Sequence, residues 1–178
     1  MQFELTKEFI DDVIKAIDEK NSDFLIKIIH PLHPADIAEI LDIVNLPQAQ
    51  YLFRLLQEDL ASDVLVEIEE DTRERFLTSL STEEIAVSLD KMYADDATDV
   101  IQDLPEDVQE EVLEALKDDD LQSEISQLLN YDEDSAGGIM DLDFISANWS
   151  WTVKNALQKF REQVEDVDQV YTIYVVDG

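Results

Sequence analysis

The chain has 178 residues and a formal charge of −32, from 44 Asp and Glu against 12 Lys and Arg, with 45% hydrophobic residues. That length and apolar content support a real core and exclude simple disorder, while the charge makes phosphate backbones and anionic lipid headgroups electrostatically unfavourable partners. With no Cys, a disulfide framework and a thiolate metal site are both excluded, and no run of about 18 apolar residues reads as a membrane span.

In chain order, Ile10, Val13, Ile14 and Ile17 fall on one helical face, and a second helix is expected after Ser22 as its N-cap, carrying Phe24, Leu25, Ile28 and Ile29. Pro34 opens the next stripe, Ile37, Ile40, Leu41 and Val44, which Asn45 closes before a restart at Pro47 and a face of Leu52, Phe53, Leu55 and Leu56. Beyond Leu60 the segments shorten and resemble one another. Ala61-Ser62-Asp63-Val64-Leu65 superposes on Ala97-Thr98-Asp99-Val100-Ile101, and Asp36-Ile37-Ala38 and Glu84-Ile85-Ala86 are looser copies, so an irregular helical repeat is expected. Ser81 to Glu84 reads as a capping box, Pro105 as a helix start, and Leu121, Ile125, Leu128 and Leu129 as the last stripe. About ten short helices follow, each too short to be stable alone and therefore stacked into one superhelical unit.

The stretch Tyr131 to Met140 separates this region from a different pattern, and Gly137 and Gly138 within it are two of only three glycines, so a hinge or sharp turn is expected there. Residues 1–130 hold 34 acids and 9 bases, whereas residues 131–178 hold 10 and 3, so the helical part carries most of the charge. After the junction, Asp143 to Ala147 reads as a strand and Asn148 to Trp151 as a turn. Thr152 caps a helix whose buried face is Ala156, Leu157, Phe160 and Val164, and Tyr171 to Val176 reads as a second strand. One of Trp149 and Trp151 is expected to pack on this β-α-β core. Asp177-Gly178 looks like the start of a hairpin turn, so the β-α-β piece is expected to be an incomplete part of a larger domain. The predicted fold is mainly α, with domains at 1–130 and 131–178.

The segments His33 to Glu39, Asp95 to Val100, Tyr131 to Met140 and Thr152 to Arg161, followed by Ile173 to Asp177, together resemble the cytosolic N-terminal part of MgtE-type magnesium channels. The Tyr-x-Glu-Asp-x-Ala-Gly-x-x-Met pattern is the most specific part of the resemblance. It implies an acidic helical N domain followed by the start of a CBS repeat, on the cytoplasmic face of a membrane protein that assembles as a homodimer. It further implies that Mg²⁺ bound between acidic cytosolic faces favours a closed pore, with the remainder of the same chain as partner and no enzymatic activity.

Asp95, Asp99 and Asp103 stand at i, i+4 and i+8 and share a helix face, with Asp96 within reach of Asp99. On spacing alone, the simpler account is a solvated face whose first-turn acids complement the helix dipole. A hard divalent cation would also relieve such a ridge, since Mg²⁺ takes oxygen ligands and keeps several waters. The resemblance implies a magnesium-binding role for Asp95 and Asp99, and none for Asp96 or Asp103.

An EF-hand reading of Asp132, Asp134, Gly137, Ile139 and Asp143 fails, because Ala136 stands where a ligand is needed, Asp143 where a bidentate Glu is, and a strand follows. His30 and His33, the only histidines, read as loop residues rather than a transition-metal site. No phosphate loop, nucleophile elbow or plausible triad marks an enzyme. Two rival functions stay open at this level: an acidic adaptor that docks a basic protein, and adenine-nucleotide sensing.

Overall fold

The computed structural model describes residues 5–132, 135–140, 142, 144–164 and 170–177. The chain divides into two compact units, Met1–Asn130 and Tyr131–Gly178. The first unit is built of ten helices: α1 (Lys7–Asp18), α2 (Ser22–Ile29), α3 (Pro34–Ile43), α4 (Leu46–Phe53), α5 (Glu58–Glu67), α6 (Glu70–Leu77), α7 (Thr82–Leu89), α8 (Ala94–Gln102), α9 (Glu106–Ala115) and α10 (Asp119–Leu128). The second unit holds β1 (Ser146–Asn148), α11 (Val153–Gln163) and β2 (Tyr174–Val176).

The repeat is far more regular than its sequence suggests. The residues flanking the helix starts are Asn21, His33, Asn45, Gln57, Glu69, Ser81, Tyr93 and Pro105, one every 12 residues, with a 13-residue step to Asp118. The 36-residue offset between the Ala61 and Ala97 segments is three such units. Alternate helices stack on one another, α3 on α5 on α7 on α9 and α8 on α10, so each short helix buries its apolar stripe against neighbours rather than standing alone. The fourth residue after six of these nine positions points inward: Leu25, Ile37, Ala49, Ala61, Ile85 and Ala97 are all buried. Arg73, Gln109 and Gln122 occupy the same place in their own units and are half-buried.

Local chemistry explains the helix starts. Asn21, rather than the expected Ser22, caps α2 by accepting from the Phe24 amide at 3.3 Å. Asn45 does not close the preceding helix but opens α4 in a reciprocal capping box with Gln48. Ser81 and Glu84 form the predicted box at α7, with bonds of 3.2 and 3.0 Å. On α1 and α2 the buried faces are Ile10, Val13, Ala16 and Ile17, then Leu25 and Ile29, while Phe24 is exposed.

In the second unit β1 and β2 pair in parallel, Ser146 with Tyr174 and Asn148 with Val176, with α11 as the crossover that parallel strands require. Thr152 caps α11 as predicted, accepting from the Asn155 amide. Both strands are shorter than the sequence pattern implies, and Asn148 belongs to β1 rather than to the turn. Ile145 and Ala147 are buried, but Ala156, Phe160 and Val164 are only half-buried and Leu157, Trp149, Trp151 and all of β2 are exposed. Trp151, 39% exposed, is the more covered of the two tryptophans, against 66% for Trp149. Gly137 is required for closeness rather than for a left-handed backbone, because a Cβ there would lie 2.3 Å from Cδ1 of Tyr131. The one positive-φ non-glycine residue among those described is Lys20, at φ 54°, just after α1.

Candidate metal-binding face on α8

Helix α8 is anchored by Ala94, Ala97, Thr98, Val100 and Ile101, all buried, with the Thr98 hydroxyl donating to the Ala94 carbonyl at 2.6 Å. That seating leaves Asp99 exposed and Asp95 half-buried. Tyr93 supplies no side-chain cap, and Asp95 Oδ1 instead accepts from the Asp96 amide at 2.9 Å. The first-turn acids thus do complement the helix N-terminus, as an ordinary solvated face would.

Asp103 stands apart from the other two. Arg73 on α6 donates from Nε to Asp103 Oδ2 at 2.5 Å and from Nη1 to the Val66 carbonyl at 3.4 Å. Its side chain and that of Asp103 are only 13% and 11% exposed, against 52% and 35% for the Arg54–Glu84 pair. Low exposure is what lets an ion pair keep its strength against solvent. Asp99 is exposed as a residue, yet the atoms packed about its carboxyl raise its pKa by desolvation. The positive charge of Arg73 opposes that rise, and the charges of Asp95 and Asp103 add to it. The Asp99 carboxyl therefore senses the charges four residues to either side of it.

Among the described residues no three His, Cys, Asp or Glu side chains are grouped to hold a metal ion. Asp95 and Asp99 offer a pair of hard oxygen donors, which fits an ion that keeps most of its water and touches one or two carboxylates. Two acids elsewhere are engaged with backbone. An open cleft of about 610 Å³ carries Asp90, whose Oδ1 accepts from the Lys117 amide, and Asp118, which caps α10. His30 sits 3.0 Å from the Leu55 carbonyl and His33 caps α3, so both histidines have structural work. Of the acids in the EF-hand reading, Asp134 and Asp143 lie outside the described residues. Sequence reasoning missed Arg73, whose signal was a charged residue at a position that six sister units fill with buried apolar side chains.

Residues 32–134 match the family model described as the MgtE intracellular N domain. The chain is 26% identical over 175 residues to the magnesium transporter MgtE of Thermus thermophilus, covering 92% of this chain and 37% of that protein. It is 37% identical over 54 residues to the MgtE of Enterococcus faecalis, covering 30% of this chain and 12% of the relative. It thus spans little more than a third of the Thermus protein's length. Among solved structures, the soluble part of a magnesium transporter shares the fold at TM-score 0.75 and 24% identity, covering 96% of this chain and 67% of that one. The cytosolic domain of the Mg²⁺ channel MgtE in complex with ATP matches at TM-score 0.79 and 25% identity, covering 94% and 68%. No helix among the described residues is long and apolar enough to cross a membrane. With more than half of its residues inside the matched region and the same helical architecture, this chain belongs to the MgtE intracellular N domain family.

Proposed function

We propose that this chain is the Mg²⁺-sensing regulatory region of a magnesium channel or transporter, at the cytoplasmic face of the cell membrane, with Asp95 and Asp99 as its ion-holding pair. The observation that carries this reading is that α8, inside the family-matched region, presents two carboxylates outside the direct Arg73 ion pair beside one that the pair ties up. When magnesium is scarce, like-charge repulsion holds this acidic unit away from other acidic faces of the transporter. When it is plentiful, hydrated ions bridge them and favour the closed pore. An ion shifts such an equilibrium only through differential affinity, so the bridged arrangement must hold it more tightly than the separated one. Residues 131–178 read as the start of a CBS repeat, and the full-length protein as a homodimer.

The test uses Mn²⁺ as a paramagnetic probe of the α8 backbone amides. The expected result is selective broadening at residues 94–103 that MgCl₂ reverses and NaCl at matched ionic strength does not, lost in D95N/D99N. Equal reversal by NaCl would reduce the effect to general screening of a −32 chain and favour an acidic adaptor that docks a basic protein. The ATP bound to the structural relative makes nucleotide a necessary control. A rise in melting temperature on adding ATP without Mg²⁺ would move the assignment to nucleotide sensing.

A further inference from the structure

Arg73 breaks the pattern of its own repeat. At the fourth residue after the cap, six sister units place buried Leu, Ile or Ala, whereas α6 places a guanidinium that reaches Asp103 at the end of α8. A long charged side chain at a core position has a desolvation cost that a leucine would not have. The partner it reaches is not on its own helix, nor on a neighbour in sequence, but 30 residues on, two units along the stack. The same side chain lies close enough to Asp99 for its charge to be felt there.

We propose that Arg73 is the residue that sets the ion affinity of the α8 face: a tethered cation that occupies Asp103 permanently and leaves a pair of carboxylates, rather than three, for a divalent ion. The inference rests on the assignment of Asp95 and Asp99 as the ion-holding pair. A face of three unneutralised carboxylates would hold Mg²⁺ more tightly and respond at lower concentration. With Arg73 fixed beside it, the face is less negative by one charge and responds only when the ion is more abundant. The arginine stays charged at any physiological pH, so this setting does not drift with proton concentration.

The experiment measures the MgCl₂ concentration that half-reverses Mn²⁺ broadening of the α8 amides. R73Q lowers that midpoint by roughly two- to tenfold, the scale of one unit charge acting on a divalent ion through screened, solvent-rich surroundings. D103N raises it, because the guanidinium is then left to act on Asp99 alone. In R73Q/D103N both charges are gone, and the midpoint returns to within about twofold of the wild type. A midpoint that R73Q leaves unchanged or raises overturns the proposal, as does a double variant that behaves like R73Q alone. Arg73→Leu serves as a second variant, since Leu25 fills the same position in α2; it shares the expected fall, and a wild-type midpoint in it counts equally against the proposal. Failure of the underlying assignment has a different signature: D95N/D99N would keep the broadening and its reversal whatever happens at Arg73.

Discussion

Asp42 on α3 has a buried Oδ1 with no hydrogen-bond partner, the one such side-chain atom among the described residues. Desolvation raises its pKa and the nearby charges of Glu69 and Glu39 add to the rise, against hydrogen bonding from Thr72 and the Glu69 backbone. Arg75 lines the same small cavity, but donates to the Asp71 carbonyl and the Thr72 hydroxyl. The folded state therefore binds this proton more tightly than the unfolded chain. Its contribution to stability is fully present below the usual carboxylate value of 3.8 and is lost as pH rises through the raised folded value. Asp42→Asn should raise the melting temperature at pH 7 and lose that advantage by pH 4, as a pH series of thermal melts would reveal. Glu84 works in the opposite sense, its pKa lowered first by hydrogen bonding from Arg54, so its stabilisation is present above 4.5 and fades as pH falls through the lowered value. Contacts within one turn, such as the Ser81–Glu84 box, were legible in the sequence because both partners lie three residues apart. The Arg73–Asp103 pair was not, because only the stacking of helices brings residues 30 apart together.

Single helices of eight to twelve residues are held by caps and neighbours more than by intrinsic propensity. Ser81→Ala removes one half of a reciprocal capping box and should cost about 1 kcal/mol in urea unfolding, with the denaturant slope unchanged. An equal substitution at Glu69, which makes no side-chain cap bond, should cost less. At this scale the apolar periodicity located the first four helices and α10, since a 3.6-residue period needs no tertiary information, whereas α6, with few apolar residues, left no stripe of its own. Helix starts were less secure: Asn21 and Asn45 were assigned one residue or one helix away, because Asn, Ser and Pro cluster at each joint and the sequence does not say which side chain turns back to the amides. Strand content was overstated for a related reason. Tyr171 to Val176 is rich in β-branched and aromatic residues, yet only Tyr174–Val176 pairs, because a ladder also needs a partner of matching length.

The stack as a whole carries 34 acids and 9 bases over residues 1–130, so self-repulsion opposes its compact state. Raising NaCl from about 0.01 to 0.15 M shortens the screening length from roughly 30 to 8 Å, and the melting temperature of this chain should climb through that range and flatten above it. A melting temperature independent of salt would mean that the acids are already balanced locally. The ten-helix architecture was readable from the sequence, but its regularity was not, since the frame is carried by where helices begin rather than by which residues recur. That frame has an evolutionary consequence. Because successive units alternate between two rows, losing a single 12-residue unit would transfer every later helix to the opposite row and turn its buried stripe toward the wrong neighbours. Losing two leaves each helix in place. Natural insertions and deletions in this region should therefore come in steps of 24 residues.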